Sequence, residues 1–415
     1  MLNDSIHYFA NELYCDEVSV RSIAEEVGTP VYIYSLKRVL DNIAHIRAAF
    51  GDLNPHVHYS AKANASLAVL HTIISAGAGI DAVSGGEIYK ALQVGTKPED
   101  IVFAGVGKTR DELRYALEQN VGWFNVENVL ELQHINDLAA ELGHKPARVA
   151  LRLNPDVVAA THHHIATGHK AAKFGLSIET VKDLLAHRSQ YPNVRIEGIH
   201  IHIGSQLHDT EATRQAVQVA LDCIKPYPDI RTFNIGGGMA VRYSPDEQIP
   251  RWEDFGAAIT PLLKDYQVIL EPGRSIIADA GILVISLLYA KEQGGEPIYI
   301  TDGSMAELIR PALYEAHHEI IPVTKAAENT PQKAYHVVGP VCESADALGH
   351  DIHLPEMETG SLLAVLTAGA YSMAMASNYN QRTRPPEVVA TEDGKSWRLA
   401  RRRETWEDLT ATEII

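Results

Sequence analysis

His56-Val-His-Tyr-Ser-Ala-Lys-Ala-Asn64 opens as a short run rich in β-forming residues, carries Lys62 just after it, and is followed by an amphipathic helix beginning near Ser66. The same pairing of textures recurs along the chain. Residues 79–83 precede 86–94, 101–104 precede 110–119, and 123–126 precede 129–142. Residues 149–153 precede 178–187 across a long loop, 196–203 precede 211–224, 232–235 precede 252–263, and 268–270 close the series. Strand and helix in alternation imply parallel strands joined by helical crossovers. Eight such strands in about 245 residues is the size of a (β/α)8 barrel, and a doubly wound open sheet is the alternative. The barrel is preferred because the residues capable of chemistry cluster just behind the strands. A barrel gathers those strand ends on one face.

Beyond residue 281 the helical texture fades. Runs at 284–291, 298–301, 334–338, 361–366 and 388–390 read as strands separated by Gly, Pro and Asp turns. The expected organisation is a (β/α)8 TIM barrel at 36–280 and an all-β domain, a β-sandwich or Greek key, at 281–415. The first 35 residues join that β domain, and Val31-Tyr-Ile-Tyr34 can supply it with a strand.

The 415 residues are 46% hydrophobic, enough for a large core. Net charge is −17, from 36 basic and 53 acidic residues, which argues against nucleic acid as a partner. A few local cations and backbone amides can still hold a small anion. Cys15, Cys223 and Cys342 are odd in number and scattered, as reduced thiols in a cytoplasmic protein would be. Met1-Leu-Asn-Asp-Ser-Ile-His7 shows no basic segment before an apolar run, so no signal peptide is expected. The longest apolar stretch, 280–290, falls well short of the roughly 20 residues that cross a bilayer, so no membrane partner is expected.

Lys62 follows the first strand and should point to the barrel mouth, half out of water. Desolvation and neighbouring cations there would favour the free amine that covalent catalysis needs. Asn234-Ile-Gly-Gly-Gly238 follows the seventh strand, where barrels often bind phosphate, and glycines let backbone amides approach an anion. Glu271-Pro-Gly-Arg274 follows the eighth. Glu271 and Arg274 could pair with each other. Alternatively, Glu271 keeps a pyridine nitrogen protonated while Arg274 reaches phosphate or a substrate carboxylate. Alternation places His200 and His202 on one face, where an imidazole could pack on a flat ring. Loop 155–175 reads as a lid, and its His162, His163 and His164 read as polar lid residues rather than metal ligands, because adjacent residues converge poorly on one ion. No metal site is expected. In the β domain, Arg310-Pro-Ala-Leu-Tyr314, Cys342-Glu-Ser-Ala-Asp346 and Ala368-Gly-Ala-Tyr371 are candidate contact loops.

Taken together, from about Thr29 to Val389, these motifs resemble the alanine-racemase-like (fold type III) pyridoxal-phosphate decarboxylases. The resemblance extends to Thr161-His-His-His-Ile-Ala-Thr-Gly-His-Lys-Ala-Ala-Lys-Phe-Gly175 and Ser377-Asn-Tyr-Asn-Gln-Arg-Thr-Arg-Pro385. It implies that pyridoxal 5'-phosphate is carried by Lys62 as a Schiff base. It further implies that His202 stacks on the ring, that Ser205 with Gly237 and Gly238 holds the phosphate, that Gly273 contacts the cofactor, and that Glu271 pairs with the ring nitrogen. Arg274, Arg310 and Tyr314 would hold the carboxylate of the substrate's non-reacting head, and Glu343 its ammonium. Tyr371 would contact cofactor phosphate or substrate, and Cys342 would donate the proton after CO2 leaves. The Cys-Glu-Ser loop would enter from a second copy, implying a homodimer with shared sites. Within the family, the resemblance is greatest to the branch acting on meso-diaminopimelate, whose distal zwitterion suits two arginines facing a glutamate. Ornithine, arginine or carboxynorspermidine are rival substrates, and a non-catalytic pyridoxal-phosphate-binding homologue is a rival of another class. A racemase of this fold would set an arginine, not Glu271, against the ring nitrogen.

Overall fold

The computed structural model describes residues 1–157 and 173–415. The lid reading of 155–175, with His162, His163 and His164, falls mainly outside the described residues. Two compact units emerge: Asn42–Val241 with Gln248–Ser275, and Met1–Asp41 with Arg242–Glu247 and Ile276–Ile415.

The first unit is a closed parallel barrel. Its strands in order are His56–Ser60, Gly79–Ala82, Ile101–Phe103, Trp123–Val126, Ala147–Arg152, Val194–His200, Thr232–Asn234 and Gln267–Leu270. The last strand pairs with the first through Ile269↔His56 and Leu270↔Val57, which closes the ring. Strands buried on both faces are mostly apolar, and Ile101–Phe103 and Trp123–Val126 are buried at every position, Asn125 being the polar exception in the second. The crossover helices start where short polar residues can accept the orphan amides of the first turn. Ser84 accepts from Glu87 N–H and Asn128 from Glu131 N–H, and Thr109 with Glu112 forms a reciprocal capping box. Each cap thus fixes a helix start just behind a strand end, at the mouth where chemistry is possible.

The second unit is built on a mixed sheet. Its long strand Gly281–Gln293 pairs antiparallel with Val31–Ser35, Glu296–Thr301 and Leu362–Val365. Val31–Ser35 is flanked on its other edge by Glu387–Ala390, running parallel to it. That central strand is wholly buried. Val31 and Ile33 join Ile6, Leu13, Ile23, Ile282, Val284, Leu366 and Val388 in one apolar cluster. On the opposite face, Tyr32 donates its hydroxyl to Glu307 O at 2.7 Å and Tyr34 to Glu387 Oε1 at 3.0 Å. The two tyrosines bury large rings while their polar ends remain satisfied.

Candidate active site

The strand ends of the barrel bring Lys62, His202, Ser205, Gly237, Gly238, Glu271, Gly273 and Arg274 into one unit. Lys62 occupies a single 3-10 turn, Ala61–Ala63, directly after the first strand. It is exposed rather than half-buried in this chain, because Ala61 and Ala63 on either side take the buried positions. Gly273 seats the last strand's loop on this turn: a Cβ there would stand 3.0 Å from Ser60 Cβ and 3.2 Å from Ala63 Cβ.

Glu271 is the best-supported group of the site. Its Oε1 accepts from Asn125 Nδ2 at 2.8 Å and Asn234 Nδ2 at 2.6 Å, and its Oε2 lies 3.3 Å from His200 Nε2. Burial alone would raise its pKa. The His200 ring and the Asn234 amide outweigh that and hold the carboxyl well below the usual carboxylate range. A buried anion at a barrel mouth is therefore ready for a cationic partner.

His202 is held neutral. Burial first, then the Arg152 and Lys62 cations, push its pKa well below the ordinary imidazole value. Its Nδ1 accepts the Gly237 N–H at 3.2 Å, which fixes the proton on Nε2. The glycine loop is packed too tightly for side chains. A Cβ would come within 2.6 Å of His202 Nδ1 at Gly236, 2.3 Å of Glu271 O at Gly237 and 2.3 Å of Gly204 O at Gly238. Beside it, Arg274 points Nε and Nη2 at Ser205 Oγ, 3.4 and 3.3 Å away. Glu271 and Arg274 thus face different partners, so the reading in which they merely pair with each other is set aside.

Several supporting residues escaped the sequence reading. Asp81, at the end of the second strand, accepts from Ser60 Oγ at 2.6 Å. Burial first, then the Glu271 charge, push its carboxyl up to about 7, against the opposing Lys62 ammonium and Ser60 hydroxyl. Lys108 Nζ, fully buried, donates to Glu131 Oε1 at 2.7 Å and to Asn125 O at 2.7 Å. It thereby steadies the asparagine that holds Glu271. Arg152 and Glu127 form a second buried pair at 2.6 Å. The one available signal was position: Asp81 and Asn125 are polar residues inside otherwise apolar strands, and Arg152 ends the strand Ala147–Arg152 in a buried position.

The remaining expected residues lie in the β unit. Arg310 is buried at the start of the helix Arg310–Tyr314, with Tyr314 half-buried at its end. Cys342 and Glu343 are exposed on a loop pinned by Asp346, which accepts from Met305 N–H at 2.6 Å and Val341 N–H at 2.7 Å. Cys342 N–H donates to Asn380 Oδ1 at 2.8 Å. Tyr371 is half-buried with φ of 55°. Among the described residues no cluster of three His, Cys, Asp or Glu could hold a metal ion.

The barrel site fits pyridoxal phosphate. A buried ionised carboxylate suits a protonated ring nitrogen, Arg274 with Ser205 and a side-chain-free loop suits a phosphate, and an exposed lysine at the mouth suits an aldehyde.

Comparison with known proteins bears on the same site. Residues 36–278 match the family model of the pyridoxal-dependent decarboxylase, pyridoxal binding domain. A diaminopimelate decarboxylase of Aquifex aeolicus is 40% identical over 99% of this chain and 98% of its own length. One from Pseudomonas aeruginosa is 42% identical over 99% of both. A solved diaminopimelate decarboxylase from M. jannaschii, in co-complex with L-lysine, is 35% identical and superposes with a TM-score of 0.92 over 100% of this chain and 98% of its own. The chain belongs to the pyridoxal-dependent decarboxylases, in their diaminopimelate decarboxylase family.

Proposed function

We propose that this chain decarboxylates meso-2,6-diaminopimelate to L-lysine and CO2 in the cytoplasm, as a homodimer whose two sites are shared. The observation that carries the reading is Glu271, buried and yet held ionised by His200, Asn125 and Asn234 at the barrel mouth. Bound pyridoxal phosphate supplies an electron sink for the pair left behind when CO2 departs, a stronger one when its ring nitrogen is protonated. Glu271 keeps that nitrogen protonated. Lys62 would hold the cofactor through its amine, Arg274 and Ser205 with Gly237 and Gly238 would hold its phosphate, and neutral His202 would serve its ring. A neutral imidazole suits that place, because a cation there would oppose the protonated nitrogen.

In the β unit, Arg310 and Tyr314 bind the carboxylate of the substrate's non-reacting head and Glu343 binds its ammonium. Cys342 Sγ delivers the proton to the reacting carbon once CO2 has left. Tyr371 completes the contacts to phosphate or substrate. Cys342 and Glu343 stand exposed on their loop, as residues offered to a partner's site would. The β unit, spanning 281–415 with 1–35, would thus contribute substrate and dimer contacts, while 36–280 binds cofactor. No helix among the described residues is long and apolar enough to cross a membrane.

The test is a CO2-release assay with added pyridoxal phosphate on meso-diaminopimelate, ornithine and arginine. Release from meso-diaminopimelate at least about 100-fold above the other two is expected, because a missing distal carboxylate leaves the buried Arg310 charge unmatched. A preference for ornithine or arginine would overturn the substrate assignment.

A further inference from the structure

The buried guanidinium of Arg310 is aimed by a histidine that takes no part in the reaction proposed above. Arg310 Nη1 donates to His318 Nε2 at 2.9 Å, and His318 Nδ1 donates to Leu366 O at 2.9 Å. Both side chains are almost fully buried. The chain of bonds has one possible direction. A carbonyl only accepts, so Nδ1 carries the hydrogen; a guanidinium only donates, so Nε2 is bare. Burial first, then the Arg310 charge, lower the His318 pKa to about 3, which keeps Nε2 bare at any working pH.

Tyr243 completes the setting. Its ring lies 4.5 Å from the Arg310 guanidinium carbon and meets the His318 ring edge-on, with centroids 5.3 Å apart. Both supports are electrically neutral. A carboxylate at position 318 would orient Arg310 equally well and would also cancel its charge. An imidazole and a ring face fix the direction of the fork without themselves cancelling its charge.

We infer that His318 is the positioning residue of the distal-carboxylate site, aiming Arg310 through its bare Nε2 at the carboxylate of the substrate's non-reacting head. The inference rests on the reading of Arg310 given under the proposed function. It extends that reading to a residue that touches neither substrate nor cofactor and acts through another side chain, as an outer partner orients a ligating group.

Two conservative variants separate aiming from mere packing. Glutamine at 318 can place an amide oxygen near the Nε2 position and so keep the acceptor. Asparagine can keep the donor to Leu366 O and loses the acceptor. The holoenzyme is assayed for kcat and KM with meso-diaminopimelate, and for inhibition by L-lysine and by cadaverine. L-lysine carries the retained carboxylate; cadaverine lacks it.

His318→Asn is expected to raise KM and the lysine inhibition constant together, by about 10-fold or more, with kcat within about threefold and cadaverine inhibition unchanged. His318→Gln is expected to bring both constants back to within about threefold of wild type. Tyr243→Leu, which removes the ring face and leaves His318, is expected to move the same two constants in the same direction. Equal impairment by Asn and Gln, a cadaverine constant that rises with the lysine constant, or a kcat loss without a KM change would each overturn the inference. Failure of the wild-type enzyme to release CO2 from meso-diaminopimelate would instead overturn the function, and the contrast between lysine and cadaverine would still decide the role of His318.

Discussion

Lys62 and Asp81 show how far two side chains at neighbouring strand ends depend on each other. Lys62 stands exposed on its short turn, and its ammonium opposes the protonation of buried Asp81. Lys62→Ala should abolish both decarboxylation and the imine absorbance of the purified holoenzyme, since it removes the amine assigned to the cofactor aldehyde; full activity in that variant would sink the assignment. Asp81 makes a prediction about pH. Its folded carboxyl keeps a proton up to about pH 7, whereas the unfolded chain releases it near the ordinary value of 3.8. Folding therefore takes up a proton across that window. The stability this group contributes is fully present at low pH and declines as pH rises towards about 7. Asp81→Asn removes the titrating group. In cofactor-free protein, the drop in Tm between pH 5 and pH 8 should be smaller in the variant than in wild type. An unchanged drop would mean that Asp81 is ionised throughout.

At the scale of elements, the glycine loop after the seventh strand is the feature most sensitive to a single methyl group. A Cβ on Gly237 would stand 2.3 Å from Glu271 O, so the loop or the last strand end must move. Gly237→Ala should weaken cofactor binding by about 10-fold or more, measured by titrating stripped protein with pyridoxal phosphate. Gly51→Ala, where nothing lies within 4 Å, is the neutral control. Equal affinities would show that the loop is not part of the cofactor site. The barrel strands were legible because strands covered on both faces are written as short apolar runs. The sixth was read as extending to 203 and ends at His200, where its seventh-strand partner also ends at Asn234; Ile201 N–H makes the last bond between them, to Asn234 O. The parallel pairing of Glu387–Ala390 with Val31–Ser35 left no trace in the sequence, since it joins segments some 350 residues apart. Lys62, His202 and Glu271 were legible from their place behind strands. Asn125 and Lys108 were not, because a buried polar side chain that supports another follows no local period.

For the whole molecule, the open question is whether one chain makes a complete site. The proposed function assigns Lys62 and Glu271 to one subunit's barrel and Cys342 and Glu343 to the loop of the other. Exposure of Cys342 and Glu343 favours this, because a loop that served its own chain alone would gain nothing from presenting a proton donor to solvent. Mixing two inactive variants tests it. Lys62→Ala and Cys342→Ala each destroy both sites of their own homodimer. On unfolding and refolding together in equal amounts, half of the dimers are mixed. If sites are shared, each mixed dimer combines both lesions in one site and leaves the other intact. Activity should then return to about a quarter of wild type per subunit. If each site is built from a single chain, every site in the mixture carries one lesion and no activity returns. The outcome separates the two assemblies by a quantity that neither variant shows alone.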